Sequence, residues 1–264
     1  MRVRGIEIEA EIGRDRSARP LLWGHALMGS MSQEDAAGIL PWTGLGERTC
    51  LVRWDARGHG ASEATLRDED YRWRELALDL WAIADELGLS QVALGGISMG
   101  AGTALHAAML APERTRAIVL MAPPTAWATR PRQTRLYRSS AKLVERIGLG
   151  PFRFFGALSS VAVSNRGIAR VQRSVMHGLA HADPRAVAAA LRGAALSDLP
   201  DPEQLERLDV PTLILAWKGD PSHPLSTAEA LAARLPNASL QVAGGLAEIE
   251  AWPKTLKDFL SCLP

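Results

Sequence analysis

Cysteine is scarce in this chain: Cys50 and Cys262 are the only two in 264 residues. They lie far apart, have no metal-ligand spacing and make no disulfide framework, so a reducing compartment is expected. No run of apolar residues approaches the ~18 that a membrane span needs. The opening stretch MRVRGIEIEAEIGRD lacks the apolar core of a secretory signal. A cytoplasmic protein with no membrane partner is therefore expected. Charge of one sign is lacking too, with 30 Lys and Arg against 29 Asp and Glu and a net charge of +1. Global charge thus points to no nucleic acid or other polyanion. There is no phosphate-binding Gly-x-x-x-x-Gly-Lys-Ser/Thr loop, no dinucleotide fingerprint and no Cys/His cluster, so neither cofactor nor metal is expected. No internal repeat or low-complexity segment stands out.

The 47% hydrophobic and 22% charged content is that of an ordinary globular protein, long enough to bury a full core. Short apolar runs alternate with longer stretches of helical spacing. PLLW (Pro20–Trp23), TCLVRW (Thr49–Trp54), QVALGG, AIVLMA (Ala117–Ala122), TLILAW (Thr212–Trp217) and SLQVA read as buried strands. Tyr71–Leu89, the stretch through TALHAAML, Ser226–Leu235 and the C-terminal segment read as helices. This alternation predicts an α/β fold with a mostly parallel, doubly wound sheet.

One segment breaks the rhythm. Residues 123–209 carry helical patterns and no strand, which divides the chain into a core of residues 1–122 and 210–264 and a helical insertion of the kind that covers a site as a lid. The first half of the insertion is basic, with Arg130, Arg132, Arg135, Arg138, Lys142, Arg146, Arg153, Arg166, Arg170 and Arg173 against the single acid Glu145. That charge is either a solvated helix face or a positive funnel for an anionic substrate or an acidic acyl carrier protein.

The chemistry concentrates at Gly96-Ile97-Ser98-Met99-Gly100. Gly-x-Ser-x-Gly between an apolar strand and a helix is a nucleophile elbow. The turn lifts the serine hydroxyl clear of the sheet at a helix N-terminus, and a side chain at either glycine would clash with the neighbouring strand or helix. Unpaired N–H groups at that helix end can hold a developing oxyanion.

With that elbow in place, the chain resembles the α/β-hydrolase fold family over nearly its whole length. WGHALMGS (Trp23–Ser30) is similar to the family's His-Gly segment, WDARGHGAS (Trp54–Ser62) to its Asp-x-Arg-Gly-His-Gly-x-Ser loop, and AWKGDPSHP (Ala216–Pro224) to the loop carrying the catalytic acid. A serine nucleophile separates the chain from the dehalogenase and epoxide-hydrolase branches. The resemblance implies Ser98 as nucleophile, the backbone N–H groups of Met99 and Leu27 as the oxyanion hole, and Asp220 as the acid. His25 would support the loop rather than move protons. The family's His-Gly pair here reads His25-Ala26, and alanine would be strained if that position needs a positive φ.

The base is the difficulty. The family places its histidine after the last strand, where VAGGLAEIEAWP puts Leu246. The only histidine after Asp220 is His223. Three readings stand. His223 acts as base from the acid loop itself, as the chain's similarity to family members with Asp-Pro-x-His-Pro and no later histidine suggests. Alternatively the protein is a non-hydrolytic homologue, a binding protein or a lyase or cyclase. Or Leu246, on the pocket rim with His25 and Ala26, is an inactivating change. Under the first reading the protein hydrolyses a small-molecule carboxylic ester, lactone or thioester. His59 is expected near the pocket rim and His106 buried in the elbow helix. His177 and His181 have i, i+4 spacing but no acidic partner between them, so a structural or surface role is expected.

Overall fold

The apolar runs pair as predicted and gain short partners at the N-terminus. The computed structural model describes residues 1–42, 45, 49–161 and 165–263. Its seven-stranded sheet is built from β3 (Ala10–Ile12), β4 (Arg19–Gly24), β5 (Thr49–Trp54), β6 (Val92–Ile97), β7 (Thr115–Met121), β8 (Thr212–Trp217) and β9 (Ala238–Ala243). The order across the sheet is β3-β5-β4-β6-β7-β8-β9. Only β3 runs antiparallel to its neighbour. Strands β1 (Arg2–Val3) and β2 (Ile6–Glu7) form a separate antiparallel hairpin. These first three strands are two or three residues long, too short for any periodicity to register in sequence.

Side chains alternate across the sheet, as the two-residue period of a strand requires. Leu22, Leu94, Ile118, Leu120 and Ile214 face one layer, which includes α2 (Trp73–Glu86) and α3 (Met99–Leu110). Leu21, Ala93, Val119, Leu213 and Leu215 face the other, with Ala37 at the end of α1 (Met31–Ala37) and Trp252, Leu256 and Leu260 of α11 (Trp252–Ser261). Each fully buried aliphatic chain of this kind is worth roughly 1.5–3 kcal/mol, far more than an exposed ion pair. Helix α2 begins at Trp73 rather than Tyr71, because Asp68–Tyr71 forms a separate 3₁₀ turn.

Between β7 and β8 the chain forms α4 (Arg130–Ile147), α5 (Leu149–Val161), α6 (Arg166–Gly178), α7 (Pro184–Ala195) and the short α8 (Pro202–Leu205). Among the described residues of this stretch there is no strand. One arginine of the basic half is structural. Arg130 is buried, donates to the carbonyls of Ser197 and Ala194, and lies 4.3 Å over the ring of Trp73. Arg132, Arg135, Arg138, Lys142 and Arg146 are exposed. Helices α9 (Leu225–Arg234) and α10 (Leu246–Glu250) complete the fold, and no helix among the described residues is long and apolar enough to cross a membrane.

Candidate active site

The elbow is built by close backbone approach. Ser98 sits at φ 55°, ψ −108°, between the end of β6 and the start of α3, a conformation that costs of the order of 1–3 kcal/mol for a non-glycine residue. A Cβ at Gly96 would lie 2.6 Å from the carbonyl oxygen of Gly24, and one at Gly100 only 1.9 Å from the same atom. Strand β4 is therefore packed against the turn, and glycine is required on both sides of the serine. The Gly100 N–H donates to the His25 carbonyl at 3.0 Å, tying the elbow to the loop after β4. The small residue at Gly102 makes room for something other than the sheet: a Cβ there would meet the Trp73 ring of α2 at 2.6 Å.

The loop after β4 is held from behind. His25 is 1% exposed. Its Nε2 accepts from the Ala56 N–H at 2.9 Å, so its Nδ1–H donates to the Ala26 carbonyl at 2.8 Å. Burial pushes its pKa down to about 4, which keeps the ring neutral in that bonding pattern. His25 is thus a strut. The Ala26 carbonyl also accepts from the Gly29 N–H at 2.8 Å. The positive φ of this loop falls on Met28, at 62°, and not on Ala26. The alanine that departs from the family's glycine is therefore unstrained, and its side chain lines the cavity over Ser98. Met99 opens α3, where an N–H has no intrahelical acceptor.

The Asp55–Ser62 loop supports the same region. The Asp55 carboxylate accepts from the N–H groups of Met31 (2.8 Å) and Ala61 (2.9 Å), joining two loops. Gly60 has φ +52°, and a Cβ there would overlap the Asp55 carboxylate at 1.9 Å. Arg57 makes a buried bidentate pair with Asp79 of α2 at 2.7 and 2.6 Å. His59 packs 5.1 Å from His25 and lines a neighbouring groove instead of the cavity over Ser98. Burial, with His25 nearby, pushes its pKa down to about 3.

The turn after β8 brings Asp220 and His223 together. The His223 Nδ1 lies 2.8 Å from Asp220 Oδ2, and its Nε2 lies 2.7 Å from Ser98 Oγ. Both distances suit proton transfer. The His223 N–H donates to the Asp220 carbonyl at 3.1 Å, so both residues belong to one tight turn. The carboxylate also accepts from the Ser222 N–H (2.9 Å) and Trp217 Nε1 (3.2 Å). Burial raises the Asp220 pKa, but the charge on His223 and the hydrogen bonds from His223, Ser222 and Trp217 outweigh it and bring the value to about 2. The carboxylate stays ionised and holds Nδ1–H of the imidazole, leaving Nε2 free to accept from the serine. Trp217, read from the sequence only as the end of a strand, meets the imidazole edge-on at 6.1 Å and stacks on Trp252 at 5.7 Å.

Leu246 stands elsewhere. It is the first residue of α10, half-buried, and is not among the residues lining the cavity over Ser98. The Glu248 carboxylate accepts from the N–H groups of Gly244 (2.5 Å) and Gly245 (2.7 Å), which fixes the turn as a helix start. The expected rim position is therefore corrected. One other histidine expectation also changes. His106 is half-buried, bonded at 2.8 Å to the Asp198 carbonyl. His177 lies in α6 and His181 in a following 3₁₀ turn, and both are exposed. Among the described residues no group of three His, Cys, Asp or Glu side chains is placed to hold a metal ion.

The cavity over Ser98 measures about 310 Å³ and runs under α4, α5 and α6. Leu27, Tyr137, Phe152, Ile168 and Met176 form much of its wall, with Gln133 and Gln172 as polar groups; among the described residues no Lys or Arg lines it.

Comparison with known proteins agrees with this architecture. The family model described as alpha/beta hydrolase fold matches residues 44–247. The "Putative carbamate hydrolase RutD" of Pseudomonas savastanoi pv. phaseolicola is 29% identical over 222 residues, 80% of this chain and 83% of its own length. The 3-oxoadipate enol-lactonase 2 of Acinetobacter baylyi is 26% identical, covering 73% of this chain and 69% of the relative. Among solved structures, the enol-lactonase from Burkholderia xenovorans LB400 superposes with a TM-score of 0.78 at 20% identity, over 98% of each chain. The sheet order, the serine elbow and the family match converge, and the chain belongs to the α/β-hydrolase fold family.

Proposed function

We propose that this protein is a serine hydrolase acting on a small uncharged carboxylic ester, lactone or thioester. The supporting observation is the chain of contacts from Ser98 Oγ to His223 Nε2 (2.7 Å) and from His223 Nδ1 to Asp220 Oδ2 (2.8 Å). Ser98 Oγ attacks the carbonyl carbon as His223 Nε2 takes its proton. The oxyanion accepts from the N–H groups of Met99 and Leu27. The imidazolium, held by Asp220, then protonates the departing oxygen or sulfur, leaving acyl-Ser98. A water gives its proton to Nε2, attacks the acyl carbon and releases the acid. The relatives' names speak of carbamate and enol-lactone substrates, and both present the same kind of electrophilic carbonyl.

The non-hydrolytic reading rested on the lack of a base after the last strand. His223 within 2.7 Å of the serine favours a base supplied from the acid loop instead. A cavity with no Lys or Arg among its described lining residues favours an uncharged substrate over an anionic one. The exposed Arg132, Arg135, Arg138, Arg166, Arg170 and Arg173 would instead meet an acidic acyl carrier protein on approach. The free thiols Cys50 and Cys262 suit a cytoplasmic enzyme. The test is hydrolysis of p-nitrophenyl acetate and butyrate by the wild type and by Ser98→Ala. Turnover that Ser98→Ala abolishes supports the reading, and turnover that survives it sinks the reading.

A further inference from the structure

A second, smaller cavity adjoins the first and plays no part in the chemistry described above. It has about 30 Å³ of room for the centre of a water-sized group, enough for a small functional group at the end of a chain. Ala26, Val171 and Val175 line both cavities. Ala26 belongs to the loop after β4, and His223 lines only the larger cavity. The leaving group has to be protonated by His223 and so belongs in the larger cavity. A substrate group that reached past Ala26 into the smaller cavity would therefore be part of the acyl group.

The walls of the smaller cavity are mostly apolar, with Ile97 and Met121 at the base, yet three of its lining residues carry buried polar atoms with no hydrogen-bond partner: Gln33 Oε1, Glu34 Oε2 and Trp42 Nε1. The other oxygen of Glu34 accepts from Trp23 Nε1 at 3.1 Å, which pins the carboxyl group at the cavity wall. Unpaired buried polar atoms are costly, and native structures keep few of them. Three such residues border one cavity and carry between them an acceptor, a donor and a carboxyl group, with no Lys or Arg among the described lining residues. Resting on the serine-hydrolase reading, we propose that this cavity is an acyl subsite for an uncharged hydrogen-bonding group, such as a carboxamide or hydroxyl, with Glu34 as its specificity-determining residue. Burial pushes the Glu34 pKa up to about 8, against the lowering influence of the Trp23 hydrogen bond and Arg53, and Asp35 and Asp55 add to the rise. A carboxylic acid in that state donates from one oxygen and accepts at the other. A carboxamide end can accept from Glu34 or Trp42 and donate to Gln33.

The experiment compares kcat/KM for p-nitrophenyl esters whose acyl chains of about three to six methylenes end in a carboxamide, an isosteric isopropyl group or an ammonium. It includes p-nitrophenyl acetate, too short to reach the subsite, and uses wild type, Glu34→Leu and Glu34→Gln. At the best chain length the wild type should favour the carboxamide over the isopropyl ester by about tenfold or more. Glu34→Leu should abolish that preference and Glu34→Gln should keep most of it. Acetate hydrolysis should change by less than about twofold in both variants, which reports an intact fold and intact chemistry. Acetate turnover with no carboxamide preference, a preference that survives Glu34→Leu, or an ammonium ester that beats the carboxamide overturns the subsite. If the wild type hydrolyses no ester at all, acetate included, the serine-hydrolase reading falls and the subsite falls with it.

Discussion

Ser98 Oγ and His223 Nε2 meet at 2.7 Å although 125 residues separate them in the chain. The sheet order explains the meeting. Strands β6 and β8 are two positions apart, so the turns at their C-terminal ends open side by side. A histidine three residues past the acid then needs no contribution from the turn after β9. Removing the acid's charge should expose its role. Asp220→Asn should lower kcat by about four orders of magnitude on p-nitrophenyl butyrate, because the amide no longer holds the required tautomer, while circular dichroism should show the fold unchanged.

Leu246 gives the complementary prediction. Its side chain does not line the cavity over Ser98, so Leu246→His should change kcat/KM by less than about threefold. The same substitution placed in a His223→Ala background should fail to restore activity. Recovery of turnover in that double variant would return the base to the family's usual position.

The elbow glycines predict a stability effect. At Gly100 an added methyl group would stand 1.9 Å from the backbone oxygen of Gly24, and neither backbone can yield without disturbing β4 or α3. Gly100→Ala should therefore cost about 2–4 kcal/mol and lower Tm by roughly 5–15 °C in a thermal melt, with loss of esterase activity. An unchanged Tm would mean that β4 and α3 are less tightly apposed.

Glu34 should be visible in the pH dependence of stability. Its folded pKa is raised to about 8 by burial, above the value of about 4.3 in an unfolded chain. Between those values the folded state holds a proton that the unfolded state has lost, so the stability of the wild type falls as pH rises. The loss should be complete above the folded pKa. Tm followed between about pH 5 and 8.5 should decline more steeply for the wild type than for Glu34→Gln. Parallel curves would show an ordinary, solvated carboxyl.

Much of this site is legible in the sequence because its parts are local. The elbow's glycines bracket the serine within five residues, and Asp220 and His223 share one turn whose hydrogen bonds are made inside it. Strands such as TLILAW, buried at every position, announce themselves by composition. The parts that were missed depend on distant contacts. Strands β1 to β3 are defined by partners, not by their own two or three residues. The unstrained Ala26 depends on Met28 taking the positive φ. Leu246 misled because the family places a histidine there, whereas the turn is set locally by Glu248 capping Gly244 and Gly245. Gln33, Glu34 and Trp42 carry no motif, and only the folded arrangement of α1 against Trp23 brings them round one cavity.

The most direct test of the central claim is intact-mass measurement after exposure to a fluorophosphonate, which reports an activated serine without knowledge of the substrate. The wild type should gain one adduct, Ser98→Ala should gain none, and His223→Ala should react slower by about four to six orders of magnitude. An adduct that forms on His223→Ala at the wild-type rate, or no adduct on the wild type, would contradict the account.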